Sequence, residues 1–262
     1  PASTTALLGV SLKMYLGRRQ TRAWLRGVAE LAPLPAGVEL FVLPSFPFLL
    51  DAQELLAGTG VAYGVQNVWP DPTGPYTGEV SAAMAAELGC RYALIGHAER
   101  RRLFAEGPAC VAGKLTAAVR SGLEPVLCVG ESARLPAERA ARAVVDELAA
   151  CLPDTPEVAD ASVAIAYEPV WAIGADRPAP AEHVVAVCTA IRAALVGRAG
   201  RVRVLYGGTA GPGTLPGLRA GPTVPCLVDG LFLGRRAHDV ANLRRVIAEA
   251  RCGQPMPSSA TE

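Results

Sequence analysis

No stretch of the chain approaches the roughly 20 consecutive apolar residues that a membrane helix needs, although 51% of its 262 residues are hydrophobic. The apolar residues come in short runs, evenly spread, and suffice for one large core. The opening residues Pro1-Ala2-Ser3-Thr4-Thr5 have neither the basic region nor the long apolar stretch of a signal peptide. The expectation is a soluble, cytoplasmic protein with no membrane partner. Charge of one sign is also missing: 25 Lys and Arg against 24 Asp and Glu give a formal net charge of +1. The clusters Arg100-Arg101-Arg102 and Arg235-Arg236 are too small for a nucleic-acid footprint, and read as solvated helix faces or ion pairs. Paired cysteines are lacking. Cys90, Cys110, Cys128, Cys151, Cys188, Cys226 and Cys252 stand singly, with no Cys-x-x-Cys. An odd number of isolated thiols suits reduced, packed side chains, not a disulfide framework or a zinc site. Histidine is scarce. His97, His183 and His238 lie far apart and lack metal-ligand spacing, so nothing calls for a metal.

What is there is alternation. Short β-branched or apolar runs occur at Leu7–Leu12, Val38–Leu43, Val61–Gln66, Tyr92–Ile95, Val126–Val129, Val163–Tyr167, Val202–Tyr206 and Leu227–Leu233. Between them lie helical stretches rich in Ala, Leu, Arg and Glu near 18–32, 47–57, 80–88, 98–121, 136–151, 180–197 and 213–220, with a last one over 239–250. Eight β/α units suggest a closed barrel or a doubly wound sheet. No Gly-x-Gly-x-x-Gly follows the first strand, which weighs against a dinucleotide fold. The even spacing and the length favour an α/β protein with an eight-stranded parallel (β/α)8 barrel. No linker divides residues 1–252, which read as a single domain, and 253–262, rich in Pro and Ser, reads as a flexible tail.

In such barrels the chemistry sits on loops at the C-terminal ends of the strands. Lys13 leaves the first strand there and would project a fixed positive charge toward an anionic ligand, or else lie on a surface loop. His97 follows the fourth strand in Gly96-His97-Ala98-Glu99-Arg100-Arg101 and would stand at a helix N-terminus, where the backbone dipole favours a neutral ring. Glu168 ends the sixth strand in Tyr167-Glu168-Pro169-Val170-Trp171-Ala172-Ile173-Gly174. An acid on a buried strand is costly without a task. Its apolar neighbours would strip it of water, as a base requires. Pro169 stiffens the hinge, and Trp171 and Gly174 complete what reads as a base on a closing loop. The turns Tyr206-Gly207-Gly208-Thr209 and Gly234-Arg235 follow strands seven and eight, where barrels cradle phosphate with backbone N–H groups.

The strings at 96–101, 167–174 and 206–209, with Gln66-Asn67, Tyr76-Thr77-Gly78-Glu79 and Cys128-Val129-Gly130-Glu131, resemble the signatures of triosephosphate isomerases, and the resemblance runs from Gly9 to about Ala250. It implies an intramolecular oxidoreductase that interconverts dihydroxyacetone phosphate and glyceraldehyde 3-phosphate through an enediolate. Glu168 would be the base, His97 the electrophile, Lys13 the electrostatic partner of substrate, and Glu99 the partner of Lys13. Gly174, Gly207, Gly208, Thr209 and Gly234 would bind phosphate. The loop Asn67–Glu79 would reach into a second subunit of a homodimer, and no cofactor is implied. The family is a standard illustration of a neutral catalytic histidine and of lid closure.

The chain departs from the family pattern at several places. Ser11 stands where members usually have Asn, Ala98 where they have Ser, Gly234-Arg235 where they have a Gly pair, and Ala175-Asp176-Arg177-Pro178 within the lid. Ser11 and Arg235 resemble the L-erythrulose-1-phosphate isomerases, so an isomerase converting L-erythrulose 1-phosphate to D-erythrulose 4-phosphate is the alternative. A shorter side chain at 11 would make room for one more hydroxymethyl carbon. A sugar-phosphate-binding barrel without catalysis is a third reading, disfavoured because Lys13, His97 and Glu168 are all retained.

Overall fold

The computed structural model describes residues 5–220 and 228–251. Eight strands, β1 (Ala6–Ser11), β2 (Val38–Leu43), β3 (Ala62–Val65), β4 (Tyr92–Ile95), β5 (Glu124–Val129), β6 (Val163–Tyr167), β7 (Val202–Tyr206) and β8 (Gly230–Leu233), run parallel in sequence order. The sheet closes where β1 meets β8, with Leu7 opposite Gly230 and Val10 opposite Leu233. This is the (β/α)8 barrel expected from the alternation. Leu227 and the tail 253–262 lie outside the described residues.

Successive strand residues point to opposite faces, and the two faces fill two cores. Leu7, Phe41, Tyr92, Leu94, Val126 and Phe232 are among those packed inside the barrel. Leu8, Val10, Ile95, Val129, Ile165 and Val204 pack outward against the helices. Gly9 takes an inward position because the rings have used the space: a Cβ there would lie 2.2 Å from Phe41 Cζ. Phe41 in turn stacks on Tyr92 with centroids 4.2 Å apart. At the N-terminal end of the barrel, buried Arg203 donates to Glu39 Oε2 (2.7 Å), Glu124 Oε1 (2.5 Å) and the Tyr92 hydroxyl (3.1 Å). A guanidinium with three acceptors tolerates the burial that an unpaired cation would not.

The outer layer holds α1 (Arg18–Ala29), α2 (Leu49–Leu56), α3 (Ala82–Glu87), α4 (Ala98–Phe104), α5 (Pro108–Arg120), α6 (Ala137–Cys151), α7 (Pro156–Ala159), α8 (Ala181–Ala194), α9 (Thr214–Arg219) and α10 (Val240–Arg251). The single helix expected over 98–121 is two. Ala105 turns left-handed (φ +54°) and ends α4, and Pro108 opens α5. Glu106, in the gap, turns inward and accepts from Arg100 Nε (2.6 Å) and the buried Lys114 Nζ (2.5 Å). Lys114 also donates to Asn67 Oδ1 (2.8 Å). Asn67 therefore lies buried within this chain, whereas Asp71–Glu79 are exposed. The one-turn helix α7 went unforeseen because four residues carry no readable periodicity.

Candidate active site

The inward register of the strands continues past their ends, and at four of them it reaches glycine: Gly96 after β4, Gly130 after β5, Gly207 after β7 and Gly234 after β8. In β1 and β6 the same register carries Ser11 and Glu168. Two of these glycines, Gly130 and Gly207, make the room that Glu168 fills. A Cβ at Gly207 would lie 2.4 Å from Glu168 Cγ, and one at Gly130 would lie 1.9 Å from the Glu168 carbonyl oxygen. Gly207, read from sequence as a phosphate contact, thus packs against the Glu168 side chain.

Lys13 leaves β1 with φ +48°, a left-handed conformation uncommon outside glycine. Such a backbone persists where its surroundings over-determine it. Here Ser45 Oγ (2.9 Å) and Gln66 Nε2 (3.1 Å) both donate to the Lys13 carbonyl, and Lys13 Nζ pairs with Glu99 Oε1 at 2.6 Å. Although burial opposes its ionisation, the bond to Lys13 and the Lys13 charge hold the Glu99 carboxyl below its ordinary value. Ser45 and Gln66 were not foreseen in this role, since their contact to Lys13 is long-range.

His97 caps α4: its Nδ1 accepts from the backbone N–H of Glu99 at 3.1 Å. An Nδ1 that accepts leaves Nε2 as the protonated nitrogen of a neutral ring. That Nε2 is buried and 3.5 Å from Glu168 Oε2, and neither atom has a hydrogen-bond partner among the described residues. Glu168 is 7% exposed, and its backbone N–H is fixed on the Val129 carbonyl (2.9 Å). Beneath it lies Cys128, whose thiol is pushed well above its ordinary value by burial and by the Glu168 charge. Cys128 is therefore a neutral neighbour of the carboxylate, a contact beyond the packing role read from sequence.

Above these groups opens a cavity of about 960 Å³, lined by Lys13, Glu99, Gly174, Gly208, Thr209, Gly234 and Arg235 among others. A void of about 30 Å³, sharing Ala98, Arg101 and Gly130 with that lining, reaches down to Glu168. It can hold about one water molecule. Glu168 thus sits below the open mouth, while His97 and Ser11 line neither space; Ser11 is 2% exposed, its Oγ accepting from Lys13 N at 3.3 Å. Arg235 lies with its guanidinium carbon 5.8 Å from the Tyr15 ring centroid. It faces the cavity and has no bond to Glu106, which Arg100 and Lys114 occupy.

The segment after Glu168 forms the cavity's flap. Val170–Ala172 make a short 3-10 turn, and Gly174 takes φ +74° at the tip. Thr209 Oγ1 contacts the carbonyls of Ala172 (2.7 Å) and Ala175 (3.0 Å). The Ala179 N–H donates to the Tyr206 hydroxyl (3.0 Å), and Arg236 donates to the Asp176 carbonyl (3.2 Å). At the start of the flap, Trp171 Nε1 donates to Glu131 Oε1 at 2.8 Å. Glu131 is buried and also takes the Tyr167 hydroxyl and His183 Nε2. Sequence reasoning missed this cluster, because a lone His and a Glu 52 positions apart give no local signal.

Among the described residues no group of three or more His, Cys, Asp or Glu could hold a metal ion, and no helix is long and apolar enough to cross a membrane. Comparison with known proteins agrees with the geometry. The triosephosphate isomerase family model matches residues 6–250. An L-erythrulose-1-phosphate isomerase of Pectobacterium atrosepticum is 44% identical, over 95% of this chain and 97% of its own length. Triosephosphate isomerases of Thermus thermophilus and Chloroflexus aurantiacus are 41% and 38% identical, over 87% and 92% of this chain and 92% and 97% of theirs. Matched by that family model over residues 6–250 and by relatives at 38–44% identity over most of its length, this chain belongs to the triosephosphate isomerase family.

Proposed function

We propose that this protein isomerises a small ketose phosphate by moving one proton between adjacent carbons, with Glu168 as the base. The observation that carries this reading is the pair of buried, unpartnered atoms, His97 Nε2 and Glu168 Oε2, facing each other at 3.5 Å. Buried polar atoms are seldom left unpaired, and a substrate that presents both a C–H and a carbonyl oxygen satisfies the two together. Glu168 takes the proton from the hydroxyl-bearing carbon next to the carbonyl. The electron pair moves into an enediolate, whose oxygens the Lys13 ammonium and the His97 Nε2–H stabilise. Return of the proton to the neighbouring carbon, with the hydroxyl proton passing from one enediolate oxygen to the other by way of His97 Nε2, completes the shift, and no cofactor takes part. Glu99 holds Lys13. Gly174, Gly208, Thr209, Gly234 and Arg235 receive the phosphate, with the flap closed over it to exclude water.

For the sugar, the four-carbon reading has specific support. Ser11 ends β1 in the same register as Leu7 and Gly9, which faces into the barrel, and its hydroxyl is short where the resemblance to the family calls for an amide. A relative that shares 44% identity is an L-erythrulose-1-phosphate isomerase. With that substrate the proton leaves C3, the enediolate spans C2 and C3, and reprotonation at C2 yields D-erythrulose 4-phosphate. The three-carbon reading, dihydroxyacetone phosphate to glyceraldehyde 3-phosphate, draws on the triosephosphate isomerases at similar identity. Measuring kcat/KM of the purified protein on L-erythrulose 1-phosphate and dihydroxyacetone phosphate side by side tests the choice. A higher value on the tetrulose is expected. Turnover of neither sugar contradicts the isomerase reading.

The working form is a homodimer joined by the exposed part of the loop Asn67–Glu79. Met14, Tyr15, Leu103 and Phe104 are 54–93% exposed, large apolar side chains that a second chain would cover. Solution scattering at micromolar concentration should return the mass of two chains, and a monomer mass would refute it.

A further inference from the structure

The buried carboxylate of Glu131 ties the flap to the barrel, and the way its donors are shared points to a task for His183. Glu131 Oε1 takes two short bonds, from Trp171 Nε1 (2.8 Å) and from His183 Nε2 (2.9 Å). The Tyr167 hydroxyl donates across both oxygens at 3.1–3.2 Å. Burial and the Glu131 charge push the Tyr167 phenol up, so it stays a donor. The Glu131 carbonyl accepts from Val170 N (3.0 Å). Its neighbour Gly130 packs directly on the Glu168 carbonyl. Trp171 and Val170 belong to the flap. Tyr167 and His183 do not: one lies in β6, the other in the first turn of α8, beyond the flap's far end.

That division decides what any flap movement costs. When Trp171 swings, its bond to Glu131 breaks, and a carboxylate whose side chain is 1% exposed cannot turn to water for a replacement. Left to Tyr167 alone, it would be under-satisfied, at the cost of an unmet hydrogen bond to a charged group. His183 keeps Oε1 occupied in both positions. Its ring meets the Trp171 indole edge-on, with centroids 5.6 Å apart, and so guides the same side chain. A cavity of about 340 Å³ beside the indole, lined in part by Arg134, Leu135, Pro136, Pro180 and His183, gives it room to move without unpacking α8.

We infer that His183 is a positioning residue that lets the flap open and close by holding Glu131 when Trp171 releases it. This rests on the reading of residues 170–179 as a lid over the phosphate. It touches no substrate and acts only through Glu131 and Trp171.

The test uses the full chain labelled with 5-fluorotryptophan, the Trp171 resonance being assigned with Trp171→Phe. Fluorine NMR then follows that resonance as glycerol 3-phosphate, which carries the phosphate but no carbonyl, is added. His183→Leu removes the donor and is expected to slow flap exchange and to lower kcat roughly tenfold, the scale of one lost bond to a charged group. His183→Gln, whose amide nitrogen can replace Nε2, is expected to restore both to within about threefold. If the Leu variant does not fold, His183→Asn, too short to reach Glu131, serves in its place with the same slowing expected. Wild-type exchange and kcat in the Leu or Asn variant overturn the inference, as does equal slowing in the Gln variant. A wild-type Trp171 resonance that ignores glycerol 3-phosphate, in an enzyme that still turns over sugar phosphates, overturns the lid reading itself and is distinguishable from either.

Discussion

His97 Nε2 and Glu168 Oε2 face each other across 3.5 Å, beyond a good hydrogen bond, and both are buried without another partner. The gap is held from behind, by the Glu99 N–H on His97 Nδ1 and by Gly130 and Gly207 against Glu168. Glu168→Asp withdraws the carboxylate by about one methylene, and a misplacement near 1 Å costs on the order of a hundredfold in rate. The expected result is a fold with unchanged melting and turnover lowered by roughly that factor, read by steady-state kinetics and thermal melting together. Unchanged turnover would remove Glu168 from the base position.

Lys13 is held in a left-handed backbone by Ser45 and Gln66, while its ammonium reaches Glu99 at the cavity. The backbone clamp does not depend on the side chain. Lys13→Met is therefore expected to abolish turnover and to change stability by no more than about 1 kcal/mol, the scale of a partly exposed ion pair. Denaturant unfolding alongside the activity assay checks both. A variant that unfolds would make Lys13 structural.

His238 couples the β8 turn to the site: its Nε2 lies 3.3 Å from the Ser11 carbonyl and its ring meets Tyr15 edge-on. Burial lowers its pKa below the ordinary 6.5, with Arg235 and Lys13 adding to the effect against the Ser11 bond. The folded state thus binds fewer protons than the unfolded chain in the window below 6.5. Its contribution to stability is present above that value and is lost as pH falls through the folded one. Wild-type stability should fall between pH 7.5 and 5.5 by more than that of His238→Gln, as measured by denaturant midpoints. Parallel curves would show that His238 titrates normally.

Substrate length is expected to turn on Ser11, which is 2% exposed and occupies the inward register of β1. Ser11→Asn adds an amide, and about one or two heavy atoms of volume. The ratio of kcat/KM on the three-carbon over the four-carbon ketose phosphate should rise roughly tenfold, about 1.4 kcal/mol, the scale of one modest pocket contact. No change in that ratio, or a change favouring the tetrulose, would show that another residue measures the sugar.

The barrel was legible because its signals are local. Val163–Tyr167 and Val202–Tyr206 are short runs bounded by polar residues, and the β6 and β7 bounds coincide with those expectations. The positions of Lys13, His97 and Glu168 were legible because each follows the end of a strand. What escaped has long-range causes. The split of 98–121 depends on Glu106 meeting Lys114 and on Lys114 meeting Asn67, 47 positions away. The Glu131 cluster joins four segments that only the closed fold brings together. The inward glycines at 96, 130 and 207 look like ordinary turn residues until Arg101 and Glu168 are seen filling the spaces beside them.

Proton transfer by Glu168 is tested most directly by running the reaction in D₂O with limiting L-erythrulose 1-phosphate or dihydroxyacetone phosphate and following the sugar by proton NMR. A carboxylate that lifts a proton from one carbon and returns one to its neighbour exchanges with solvent in between. Deuterium should therefore appear at the newly protonated carbon of the product, and at a rate that falls with turnover in Glu168→Asp. Product formed by the wild-type enzyme at its normal rate but equally fast in Glu168→Asp, or no conversion and no deuterium uptake with either sugar, would contradict it.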